Sequence, residues 1–307
     1  LGRGILRGNF CEMYGPSRGG KTALAYEIVC AFQRAGGLPK SKADRRGQWT
    51  NVGEHFDMAV FERLGGNPAL LDFEEHGDLV EDYVDAMLKW IAAHAEDRRP
   101  KVLALDSLAM FRTRAMAKVG MDSSFDDRAK MIGSALRNLT GPLSRTGTSL
   151  VAVNQVRQRR LAPGDFRNPE VTPGGWALEF AATQRLRLTQ NTLKKGKKLL
   201  IRDESDRVIG QRIQVRVEKN RMMPSENQAV ELEWHFLTGF APCAGIFRLL
   251  ADHGLLVEKT AGSEDGKEIF ELNGKRVINE DVFVDQHPDL IREVYRPYRP
   301  ESFNEHT

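Results

Sequence analysis

A chain of 307 residues, 41% hydrophobic and 28% charged, is long enough for one large core with a smaller unit beside it, and its composition argues against disorder. The net charge of +3 excludes general polycationic binding, so any footprint for nucleic acid must be local. Three scattered cysteines without a CxxC pair and seven unclustered histidines argue against a disulfide framework or a zinc site and fit a reducing cytosol, and no apolar run reaches membrane-spanning length.

In chain order, position 1 is Leu rather than Met, so the natural start is expected upstream, and no signal-peptide pattern follows it. Asn9–Tyr14 reads as a short strand. Gly15-Pro16-Ser17-Arg18-Gly19-Gly20-Lys21-Thr22 comes next, and a helix is predicted from Lys21 to about Arg34. The octapeptide fits GxxxxGK[ST] in the strand–loop–helix setting that motif requires. Its glycines let backbone N–H groups turn inward around phosphates, and the helix start adds partial positive charge. Lys21 would reach the β- and γ-phosphates, and Thr22 would place its hydroxyl on Mg²⁺.

Gly36–Gly47 is rich in Gly, Pro and Lys and reads as a loop. Asp57–Leu64 and Leu79–Ala95 carry helical spacing, the second with Val80, Val84, Met87, Leu88 and Ile91 on one face. Val102–Leu105 is an apolar run closed by Asp106, the pattern of a strand buried on both faces of a parallel sheet. A carboxylate there can hold a Mg²⁺-bound water beside the phosphate loop; the alternative is a cap on the next turn. Asp126–Leu139 is amphipathic, and Ser149–Asn154 is a second buried strand. The alternation predicts an α/β fold, a mostly parallel central sheet flanked by helices.

From about Ala182 the pattern changes. Arg185–Gln190 and Gln211–Glu218 read as strands flanking the basic stretch Lys194–Lys198. Beyond Ala241 come a helix near Ile246–His253, a hairpin at Asn273-Gly274 and a polar helix. We therefore expect an ATPase core over residues 1–240 and a small C-terminal α/β domain over 241–307.

Four stretches narrow the choice among P-loop proteins: Val102-Leu-Ala-Leu-Asp-Ser107, Val151-Ala-Val-Asn-Gln-Val-Arg157, Asn168-Pro-Glu-Val-Thr-Pro-Gly-Gly-Trp-Ala-Leu-Glu-Phe180 and Val215-Arg-Val-Glu-Lys-Asn-Arg221. Their order and wording resembles the bacterial RecA recombinases and their phage-encoded relatives, from Gly4 to about residue 260 and more weakly beyond. The resemblance implies a RecA-like P-loop NTPase core, ATP and Mg²⁺ as cofactors, and DNA-dependent ATPase activity. It also implies a cytoplasmic location, in a bacterial cell or in an infected host cell if phage-encoded. Single-stranded DNA and homologous duplex are the implied partners, in a helical filament with ATP at the subunit interface and no membrane.

Residue by residue, the resemblance assigns Gly15, Pro16, Ser17, Arg18, Gly19, Gly20, Lys21, Thr22 and Asp106 to the nucleotide and its Mg²⁺. It assigns Gln155 to sensing the γ-phosphate; an amide suits that task because it both donates and accepts. Glu54, in Gly53-Glu54-His55, would orient the attacking water, against the alternative of an ordinary surface Glu. Lys219 and Arg221 would reach a neighbour's ATP, against a solvated basic strand edge, and Phe180 would pack between subunits. Val60 or Phe61 would pack on the adenine. DNA would be held by Arg112, Arg114 and Lys118 of a first loop (Phe111–Ser124), with Lys130 beyond it. A second loop, Val156–Gly175, would add Arg157, Arg159, Arg160 and Arg167 for phosphates, Phe166 to insert between bases, and Gly174 and Gly175 for close approach.

The family's N-terminal helix and strand, which dock on the next subunit, are expected to lie outside this chain. Lys194–Lys198 belongs to a longer insertion than usual, and the spacing from Glu54 to Arg63 is one residue short. Three alternatives stay open at this stage: a RecA-like helicase or recombination mediator, an ATP-gated protein that coats single-stranded DNA with little hydrolysis, and a small-molecule P-loop kinase.

Overall fold

A computed structural model describes residues 4–35, 47–52, 56–75, 78–114, 117, 125–158, 170–190, 200–222, 227–241, 247, 250–251, 254–259, 269–277, 283 and 286–290, with backbone only at 125–130, 258–259 and 269. The first half alternates strand and helix: β1 (Phe10–Gly15), α1 (Lys21–Ala35), β2 (Gly47–Asn51), α2 (Met58–Arg63), β3 (Leu71–Glu74), α3 (Val80–Ala93), β4 (Lys101–Asp106), α4 (Phe125–Thr146) and β5 (Thr148–Gln155). A two-residue ribbon, β6 (Arg157–Gln158) with β7 (Glu170–Val171), leads into the short helix α5 (Gly175–Ala181). Then come β8 (Gln184–Gln190), β9 (Leu200–Arg202), β10 (Val208–Asn220), β11 (Ala229–His235) and β12 (Gly239–Phe240).

The main sheet runs β12-β11-β10-β8-β1-β5-β4-β2-β3, with β9 also on β10. Strands from β8 to β3 pair in parallel, and β8 to β12 pair antiparallel. The central strands are buried on both faces, so their side chains feed two cores in alternation. Cys11, Met13, Val102, Ala104, Val151 and Val153 face α1 and α2. Phe10, Leu103, Leu105, Leu150 and Ala152 face α3, α4 and α5. The helices answer with stripes at three- and four-residue spacing: Ala25, Val29 and Cys30 on α1, and Val80, Tyr83, Met87, Trp90 and Ile91 on α3.

Three of the departures from expectation bear on the packing. β2 is a well-formed interior strand although its sequence, GQWTN, has no apolar run; Gln48 and Thr50 are each 1% exposed between β4 and β3. Trp49 carries its packing, in an aromatic cluster with Tyr26 and Phe56. α4 runs past Leu139 to Thr146 and through Pro142, because Leu143 extends the buried stripe of Ile132, Leu136 and Leu139. β11, with Val230, Leu232 and Trp234 at alternate positions, was not among the expected elements.

Beyond Ala241, β13 (Val257–Lys259), β14 (Ile269–Leu272) and β15 (Lys275–Val277) form a separate antiparallel sheet. Asn273 and Gly274, both at positive φ, make the β14–β15 turn where it was expected. Phe247, Leu250, Leu256, Phe270 and Phe283 close a third core apart from the sheet's two. Among the described residues, no helix is long and apolar enough to cross a membrane.

Candidate functional site

The loop Gly15–Thr22 crosses the carboxyl end of the parallel sheet, and its glycines are required by close approach. A Cβ on Gly15 would lie 1.9 Å from the carbonyl oxygen of Leu188, and one on Gly20 would lie 2.2 Å from Ile213 Cδ1. Gly20 also has φ +78°, a conformation that L side chains rarely adopt. Lys21 is buried, its Nζ donating to the Pro16 carbonyl at 2.8 Å across the loop. Thr22 Oγ1 donates to Asp106 Oδ2 at 2.7 Å, which joins the loop to the end of β4. Ser107 Oγ, next in the chain, is buried without a partner among the described residues. A hydroxyl and a carboxylate oxygen converging in this way are the hard donors Mg²⁺ takes, so the residues fit that ion.

β5 lies beside β1 with Gly15 opposite Gln155, so the proposed sensor stands at the first residue of the loop. The amide N–H of Val156 donates to the Gly15 carbonyl at 3.3 Å. On the other side of Asp106, β2 ends with Asn51 in register with it. Glu54 itself lies outside the described residues.

Sequence reasoning missed a buried network between these strands. Glu12, in the middle of β1, is fully buried, and Arg185 Nε donates to its Oε2 at 2.6 Å. Asn154 Nδ2 donates to Glu12 Oε1 at 2.8 Å and to the Pro173 carbonyl at 3.0 Å, while Asn154 Oδ1 accepts from the Gln155 amide. Arg185 also reaches Glu179 of α5 at 3.3 Å. Burial pushes the Glu12 carboxyl above its ordinary range, and Arg185 opposes that shift. The signal was available: a glutamate inside the strand FCEMYG has to be paired.

The family of RecA N-terminal domains matches residues 1–241. The chain belongs to the RecA family. Protein RecA of Thermus thermophilus is 30% identical over 292 residues, covering 95% of this chain and 78% of that one. Protein RecA of Gluconobacter oxydans is 30% identical over 97% of this chain and 79% of its own, and that of Lactiplantibacillus pentosus 28% over 96% and 71%.

Within this RecA-family fold, the two loops expected to hold DNA differ in what the structure describes. Arg157 is exposed at the foot of the β6–β7 ribbon, opposite Val171. Arg159, Arg160, Phe166 and Arg167, on the segment that the ribbon closes, lie outside the described residues, as do Lys118 and the side chain of Lys130. Gly174 has φ +101° and is buried; a Cβ there would press on Leu178 at 3.0 Å, a reason for glycine internal to the fold. Gly175, at φ +53°, opens α5. Arg112 and Arg114 are held by carboxylates at the start of α3: Arg112 forks onto Asp78, and Arg114 pairs with Asp82 while its amide donates to Glu81.

Lys219 and Arg221 meet at the end of α5. Lys219 Nζ donates to the Glu179 carbonyl and Arg221 Nη2 to the Phe180 carbonyl at 2.6 Å, cations against the negative end of a helix. Phe180 is 65% exposed. Phe61 is fully buried against Tyr26 and Phe56, so it is a core residue and cannot stack on a base. Val60 is partly buried on the same core.

Proposed function

We propose that this RecA-family chain is an ATP-dependent DNA recombinase that binds single-stranded DNA as a filament and pairs it with homologous duplex as ATP is hydrolysed. The register Gly15↔Gln155 carries the reading. It brings the sensor to the phosphate loop, and two residues later the chain enters the ribbon that closes the arginine-bearing segment 159–169. A change at the γ-phosphate is thereby passed along the backbone to the DNA loop.

In this reading Lys21 holds the β- and γ-phosphates, Thr22 and Asp106 hold Mg²⁺, and Glu54 orients the attacking water. Bound there, Mg²⁺ neutralises charge on the phosphate oxygens. Lys219 and Arg221 serve a neighbour's ATP. Turning toward it takes them off the end carbonyls of α5, so subunit contact and the position of α5 depend on one another.

The test is ATP turnover with and without single-stranded DNA, together with DNA affinity in the triphosphate, diphosphate and nucleotide-free states. Single strands should raise turnover, and the triphosphate should tighten DNA binding on the order of tenfold. Equal affinity in all three states would sink the reading. Lys21→Ala should abolish ATP-dependent assembly on DNA, as read by light scattering; wild-type ATPase in that variant would reject the phosphate site.

A further inference from the structure

Of the four tryptophans, three are core residues: Trp49, Trp90 and Trp234 are 1%, 6% and 9% exposed. Trp176 is 79% exposed. The packing of α5 explains why its ring is turned out. Leu178 is fully buried, and Ala177 meets α4 so closely that a Cβ on Gly133 would lie 2.5 Å from its own. The outward positions are Trp176 and Phe180, one helical turn apart with ring centroids 6.5 Å from each other.

The surroundings are cationic. Arg137 is exposed on α4, and its Nη1 stands 3.5 Å from the same point above Gly133. Arg157 is exposed at the foot of the ribbon that leads into α5. The carboxylates described on β7 and α5 are both engaged, Glu170 with Arg187 at 2.6 Å and Glu179 with Arg185 at 3.3 Å. An exposed indole among cations, with the nearby acids neutralised, suits a ligand with π-faces strung on an anionic backbone.

We propose that Trp176 is a stacking platform for a base of single-stranded DNA, with Arg137 beside it taking a backbone phosphate. The proposal rests on the DNA-binding reading above and adds two residues to that site. It excludes a second copy of the chain as the partner of this ring.

The buried state of the other three tryptophans makes the test selective. The full chain is held with a non-hydrolysable ATP analogue and titrated with oligo(dT), while anisotropy of end-labelled oligo(dT) follows binding in parallel samples. Tryptophan emission should be quenched in step with binding. Trp176→Ala should weaken binding about tenfold at an unchanged salt slope, whereas Trp176→Phe keeps affinity within about threefold. Arg137→Ala should flatten the salt slope instead. Both Trp176 variants should melt with the wild type, since the ring is exposed. Binding by anisotropy without quenching, or wild-type affinity in Trp176→Ala, overturns the platform alone. Quenching by the nucleotide analogue without oligo(dT) assigns the ring to a contact between copies and also overturns it. Absence of any anisotropy change overturns the platform together with the DNA-binding reading.

Discussion

At position 15 a single methyl group would collide with the Leu188 carbonyl, 1.9 Å away, and the obstacle is backbone that cannot turn aside. Gly15→Ala should therefore lose nucleotide binding and at least about 2 kcal/mol of stability, measured by calorimetry and urea melts. Two carboxylates respond to pH in opposite ways. Asp97 is gripped by the Arg99 side chain, which holds its carboxyl down at about 2. Its contribution is present above the ordinary carboxylate value and is lost as pH falls toward 2. Asp97→Asn should flatten that acid limb by about 1 kcal/mol, allowing for partial exposure to solvent. Glu12 is the reverse case. Burial raises it, so its contribution is largest below its unfolded value and is lost as pH rises through the raised folded one. Relative to Glu12→Gln, the wild type should gain stability as pH is lowered from 7 to 5; a urea-melt difference moving the other way would refute that account.

At the scale of elements, the seam between α4 and α5 is held from three sides. Gly133 gives Ala177 room, Arg185 ties Glu179 to Glu12, and Lys219 with Arg221 holds the helix end. Gly133→Ala would push α5 off α4 at a cost of about 1–3 kcal/mol. Stimulation of ATP turnover by single-stranded DNA should fall more than turnover without DNA; equal losses in the two assays would show that α5 transmits nothing. The phosphate-loop strand and helix, α3 and the apolar strands β4 and β5 were legible because their apolar pattern agrees with tertiary burial. β2 was not legible: the packing of Trp49 and burial by both neighbours override polar Gln48 and Thr50. Arg112 and Arg114 read as loop cations, but Asp78, Glu81 and Asp82, some thirty residues earlier in the chain, hold them.

At the scale of the whole molecule, two cores sandwich one sheet, and a third cluster around Phe247 and Phe270 stands apart from them. We propose a boundary near residue 241, where the family match also ends. A chain ending at residue 241 should keep ATP turnover and its stimulation by single strands, read in the same assay as the full chain. Loss of cooperative unfolding in the shorter chain would place the third core inside the folding unit of the first two.

The phosphate-loop pattern and Asp106 closing an apolar run could be read from the chain alone because each is a short-range pattern, whereas the role expected of Gln155 came from the resemblance. Which groups face one another across the sheet was decided only by folding. Glu12 meets Arg185 173 positions later, and Thr22 meets Asp106 84 positions later. Partners that distant are chosen by strand order and register, which no local window contains, and the outward turn of Trp176 follows from the same packing.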